Sequence, residues 1–116
     1  MRSPISAIAH DRIVRLQRRI ANGSYAVDHW LLAETLAAQE DDHFAPPATL
    51  VRAAAVAMLQ TALVALDHRS AMLLQLHFVE QLQAIETALI MGIGEHDASH
   101  RRRHLLRRLH AIIAAE

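Results

Sequence analysis

DRIVRLQRRIANGSYAVDHWLLAETLAAQ, residues 11–39, is the stretch on which the fold turns. Ile13, Leu16 and Ile20, with Ala9 one turn earlier, recur at the spacing that lines one face of a helix. Asn22-Gly23 ends that helix, because Gly adopts at little cost the left-handed conformation that closes one. Asp28 is placed to cap a second helix over about 29–40, with Leu32, Ala33 and Leu36 as its apolar face. The segment therefore predicts two short amphipathic helices hinged at Asn22-Gly23-Ser24-Tyr25. Helices this short depend on tertiary packing, so the pair must lie on another surface, in the manner of a helix in a groove. Its candidate partner-binding residues are Ile13, Leu16, Ile20, Tyr25, Val27, Leu32 and Leu36, with Tyr25 offering the largest area.

Upstream, Ser3-Pro4 supplies an N-cap and a proline suited to the first helical turn. Downstream, Glu40-Asp41-Asp42-His43-Phe44-Ala45-Pro46-Pro47 reads as a linker, acidic first and then a proline pair that holds the preceding residue out of a helix. Four more helices are expected beyond it. Thr49 caps one that runs to about Leu66, with Val56, Leu59, Leu63 and Leu66 on one seam. Asp67 caps the next, over about 68–80, with Met72, Leu73, Leu76 and Val79 inward. A short helix over about 83–91 stops at Met91-Gly92-Ile93, and a last one runs from about Glu95 to Ala114.

Composition agrees with an all-helical chain. Apolar residues make up 53% of 116 positions, enough for a core, and only three glycines and three prolines interrupt it. With Tyr25, Trp30, Phe44 and Phe78 the only aromatics, the core must be aliphatic. The absence of cysteine rules out disulfides and thiolate metal ligands and suits a reducing cytoplasm. No signal-peptide pattern opens the chain, and Leu50–Leu66, the one membrane suspect, carries Arg52, Gln60 and Thr61, so a cytoplasmic protein without a membrane span is expected. Net charge is zero, but arginines cluster at 12–19 and 101–108 around the acidic break at 40–42.

The residues name a partner as well as a fold. Ile20-Ala21-Asn22-Gly23-Ser24-Tyr25-Ala26-Val27-Asp28, followed by Leu32-Ala33-Glu34-Thr35-Leu36, closely resembles the sigma-binding tail of the FlgM family of flagellar anti-sigma factors. That resemblance implies a segment that holds a flagellar sigma factor away from RNA polymerase. Members of that family usually end soon after the motif, whereas here a whole further domain follows. Leu66 to Leu109 in turn looks like region 4 of sigma-70-family factors. The matching residues are Leu74, Leu76, Phe78 and Glu80, then Glu86-Thr87-Ala88-Leu89-Ile90-Met91-Gly92-Ile93, then Ala98, Ser99, Arg101, Arg102 and Arg103. This implies a helix-turn-helix whose second helix meets DNA, with Ser99, His100, Arg101, Arg102, Arg103 and Arg107 as candidate DNA-binding residues. Thr87, Gly94 and Ala98 stand where that family has an apolar residue, a capping Ser and Val, which predicts a loosened second helix. The Val-to-Ala difference alone is worth about 1 kcal/mol.

Nine histidines raise the question of a metal. His96, His100 and His104 share a helix face, but Glu95 and Asp97 lie off it, so surface histidines are expected instead of a zinc site. No nucleophile elbow, phosphate-binding glycine loop or zinc-protease signature is present, so no enzyme activity and no cofactor are expected. The expected architecture is all-α: a two-helix docking hairpin (1–40) and a linker (41–48), then a four-helix, sigma region-4-like helix-turn-helix bundle (49–116) on which the hairpin packs. A linker of about eight residues spans about 25 Å when extended, so docking in cis or between two copies is open to it. Candidate partners are a sigma factor or an anti-sigma factor, with RNA polymerase and DNA as further ones. Three functions fit: sequestration or mimicry of a sigma factor, DNA binding with the first two helices merely structural, or titration of an anti-sigma factor.

Overall fold

In a computed structural model of the chain, residues 7–38 and 52–114 are described, and they form six α-helices and no strand. The Ser3-Pro4 cap, the 40–47 linker and the Thr49 cap lie outside these residues. Helix α1 spans Ala7–Ala21, α2 His29–Ala37, α3 Arg52–Val64, α4 His68–Phe78, α5 Ala84–Met91 and α6 Glu95–Ala114.

Local capping explains most of the boundaries. The Asp28 carboxylate accepts from the Leu31 amide at 3.0 Å, and Asp67 accepts from the Ser70 amide at 3.2 Å, each satisfying an orphan donor of the first turn. Gly23 and Gly92 are both left-handed, at φ 77° and 71°. At each, the amide just after the glycine reaches back to a carbonyl of the last turn: Ser24 to Arg19 at 2.9 Å, and Ile93 to Ala88 at 3.0 Å. Helix α4 ends at Phe78, short of the expected residue 80. The Val79 and Glu80 amides both bond to the Gln75 carbonyl, and Gln81 is left-handed at φ 59°, which turns the chain so that Leu82 is buried. Helix α5 opens with the Gln83 amide donating to Glu86 Oε1 at 2.8 Å, so Glu86 serves as a cap.

One hydrophobic cluster runs through the molecule. Leu32, Ala33 and Leu36 of α2 meet Val56, Leu59 and Leu63 of α3, then Met72, Leu74 and Leu76 of α4 and Leu105, Leu106, Leu109 and Ile113 of α6. Leu66 and Val79, expected inward, lie at its partly buried margin. Helix α2 packs on α3 and α4, α1 rests on α5, and α6 crosses α3, α4 and α5. Helices α1 and α2 are not among the pairs that pack closely, so the 7–38 segment straddles the other four helices instead of closing on itself.

Candidate docking site and basic helix face

The closure at Gly23 sets the direction of the hinge. The Ser24 amide also donates to Asn22 Oδ1 at 2.9 Å, and the chain then runs through the irregular segment Tyr25–Asp28 with Tyr25 buried. Arg19 covers one face of the Tyr25 ring, its guanidinium carbon 5.2 Å from the centroid.

What receives the hinge is Gln75, a side chain 4% exposed within the run Ala71–Leu76, buried throughout. Its Nε2 donates to Tyr25 Oη at 3.1 Å and to the Ala26 carbonyl at 3.1 Å, while its Oε1 accepts from the Asp28 amide at 2.8 Å. A single amide on α4 thus holds three successive points of the hinge. The Tyr25 hydroxyl in turn donates to Glu80 Oε1 at 3.2 Å. Arg12 of α1 closes the far side, donating to Glu80 Oε2 at 3.0 Å and also to the Glu80 carbonyl. Burial, reinforced by the nearby Glu80 charge, pushes the Tyr25 phenol up to about 12 against the opposing Gln75 and Arg19. The phenol therefore stays a donor to Glu80.

The candidate partner-binding residues fall along this clasp. Ile13, Leu16, Tyr25, Leu32 and Leu36 are buried, and Ile20 and Val27 are partly so, all but Ile13 within or against the common cluster. Their apolar surface is covered by this chain's own α3, α4 and α5. A separate partner reaches it only if α1 and α2 lift away. Arg12 and Gln75 were not foreseen as functional. A lone amide in the apolar run Met72-Leu73-Leu74-Gln75-Leu76 is the one local signal that marks Gln75.

The second feature is the pair α5 and α6, joined by Gly92-Ile93-Gly94. Of the candidate DNA-binding residues, His100, Arg103 and Arg107 are exposed on the outer face of α6, in line with His96 and His110. Arg101 is exposed but pairs with Asp97, Nη2 to Oδ2 at 3.1 Å. Ser99 is half-buried. Arg102 turns inward, its Nη1 3.0–3.1 Å from the ring nitrogens of His77 on α4. Burial, and next the Arg102 charge, hold His77 below its ordinary 6.5, so the neutral ring accepts from the guanidinium. Of these candidates, His100, Arg103 and Arg107 thus lie on the exposed outer face, and Arg102 instead braces α6 on α4.

The positions at which looseness was expected are Thr87, Ala98 and Gly94. Thr87 is buried and its Oγ1 has no hydrogen-bond partner. A void of about 10 Å³ lies where Thr87, Ala98, His77 and Arg102 meet. Gly94 has no side chain to cap α6, and its carbonyl accepts from the Ala98 amide at 2.9 Å. His96, His100 and His104 are all exposed, and no group of three or more His, Asp or Glu among the described residues is arranged to hold a metal ion. Nor is any helix among them long and apolar enough to cross a membrane. Comparison with protein families, with curated proteins and with solved structures finds no match, so a functional reading rests on these residues and their geometry.

Proposed function

We propose that this chain is a non-enzymatic transcription regulator of the flagellar sigma/anti-sigma type that acts through protein–protein contacts. In this reading α1 and α2 are a FlgM-like docking segment, α3–α6 are a degenerate sigma region-4-like helix-turn-helix bundle, and the segment is docked in cis. The observation that carries it is the clasp. The residues of the FlgM-type turn, Tyr25 to Asp28, are held by Gln75 and Glu80 of the region-4-like segment. The motif meets the kind of surface for which its resemblance names it, supplied by its own chain. Full burial of Leu32 and Leu36 contributes about 1.5–3 kcal/mol each, so release requires a competitor of comparable affinity.

The test is capture of purified partners, a flagellar sigma factor and its anti-sigma factor in separate reactions, by the parent chain and by Gln75→Leu. Binding to either, strengthened when the clasp is weakened, supports the proposal, and the partner captured decides between sequestration and titration of the anti-sigma factor. Capture of neither by both proteins refutes it. Removal of residues 1–40 is expected to strip the α2 side of the core and lower the stability and solubility of the remainder. An unchanged remainder would exclude docking in cis.

A second reading, DNA binding, is favoured by the exposed His100, Arg103 and Arg107 on α6. Such a face neutralises phosphates and gives salt-sensitive, weakly specific affinity. An Arg103→Ala/Arg107→Ala protein that shifts promoter DNA as well as the parent, at every salt concentration, would exclude it.

A further inference from the structure

Away from the clasp, a cleft of about 270 Å³ opens between the start of α4, the end of α5 and one flank of α6. Arg69, Arg101, His104 and Arg108 stand around its mouth, and Leu73, Met91 and Leu105 form its buried apolar floor. Arg101 and Arg108 flank His104 on successive turns of α6, so their side chains reach the cleft from one side. Arg69 comes from the other side, and its guanidinium is steadied by a 3.1 Å hydrogen bond to the Met91 carbonyl. That partner is neutral, so the Arg69 charge is not cancelled by it.

The charges do not balance. Three guanidinium groups face one carboxylate in the cleft, Asp67, and Arg101 has a second in Asp97, leaving an excess of one guanidinium. Asp67 is already engaged by the Ser70 amide at 3.2 Å and the Ser70 hydroxyl at 2.6 Å.

We infer that this cleft is a binding site for a small organic phosphate monoester, its phosphate held by Arg69 and Arg108 and its apolar body resting on Leu73, Met91 and Leu105. Guanidinium forks match phosphate oxygens, and an anion answers the local excess of positive charge. Sites for drug-sized ligands run to about 300–1,000 Å³, so this volume takes something smaller. Because the walls come from α4, the end of α5 and α6, an occupant bridges the first and last helices of the unit that carries the basic face. The site is independent of the clasp and of the sigma-type reading.

Phenyl phosphate is the probe, titrated into the full chain by calorimetry and by amide chemical-shift mapping at constant ionic strength. Saturable binding is expected, with shifts at residues 67–73, 91 and 101–108. Inorganic phosphate binds more weakly because it leaves the floor uncovered, and phenol does not bind. Arg69→Ala/Arg108→Ala lowers the affinity by about tenfold or more, as loss of charge-assisted contacts requires, while circular dichroism and melting temperature stay those of the parent. Arg69→Lys/Arg108→Lys keeps the charge and recovers only part of the affinity. The assignment is overturned by absence of saturable binding, by affinity that survives the double alanine change in a folded protein, or by shifts elsewhere. A 5′-phosphorylated oligonucleotide binding more tightly than phenyl phosphate would overturn the small-molecule occupant.

Discussion

Replacing Gln75 by Leu tests whether the hinge is held by its polar clasp or only by apolar burial. Leu is close to Gln in size and suits the surrounding leucines, so the change removes the amide and leaves the packing nearly filled. Three hydrogen bonds disappear, from the amide nitrogen to Tyr25 Oη and to the Ala26 carbonyl, and from the Asp28 amide to the amide oxygen. At about 0.5–1.5 kcal/mol net per bond, and with Ala26 and Asp28 exposed enough to recover water, the loss comes to about 2–3 kcal/mol. Urea unfolding read from Trp30, two residues past Asp28 on α2, measures it, and hydrogen exchange at residues 25–36 localises it. Tyr25→Phe removes a bond shared with Gln75, so the double variant loses less than the sum of the two single changes. If Gln75→Leu is as stable as the parent, with unchanged exchange over the hinge, the clasp does not hold α1 and α2 in place and the docking reasoning fails.

Other perturbations probe separate parts of the fold. Thr87→Val removes a buried hydroxyl without a partner at almost constant shape and is expected to raise stability by about 1 kcal/mol or more; a lower urea midpoint would contradict this. Gly23→Ala and Gly92→Ala meet no neighbouring atom but force a Cβ into a left-handed conformation. Each should lose about 1–2 kcal/mol, while Asn at the same positions loses less. For Tyr25, the folded chain keeps its proton up to about 12 while the unfolded chain releases it near the ordinary 10. Its stabilising effect is thus complete below pH 10 and is lost as pH rises to about 12, and Tyr25→Phe flattens that decline in an alkaline stability titration. His77 acts in the opposite sense. Below its ordinary 6.5 the unfolded chain takes up a proton that the folded chain resists, so stability falls as pH drops, and His77→Gln reduces that acid loss.

Secondary structure was legible because its signals are short-ranged. Asp28 and Asp67 cap amides three residues ahead, and Gly23 and Gly92 close helices through bonds within one turn, so residue type and spacing suffice to place these four boundaries. The end of α4 was missed because no glycine marks it, and Gln81 takes the left-handed conformation instead. The apolar faces of α1 and α2 were equally visible, since burial imposes the helical period on Ile13, Leu16, Leu32 and Leu36.

The destination of those faces was not. Periodicity says that a face is covered and not by what, which is why the hinge alone was compatible with a partner elsewhere or with its own chain. The pairing of Tyr25 with Gln75 spans 50 residues and that of Arg102 with His77 spans 25, and neither leaves a periodic trace. By itself the sequence determined six helices, the Asp28 and Asp67 caps and the glycine stops at Gly23 and Gly92. Only the tertiary structure decided that α4 of the same chain supplies the clasp and that Arg102 braces α6 inward. The physical reason is range: caps act within a turn, whereas buried polar groups are satisfied by whatever the packing brings beside them.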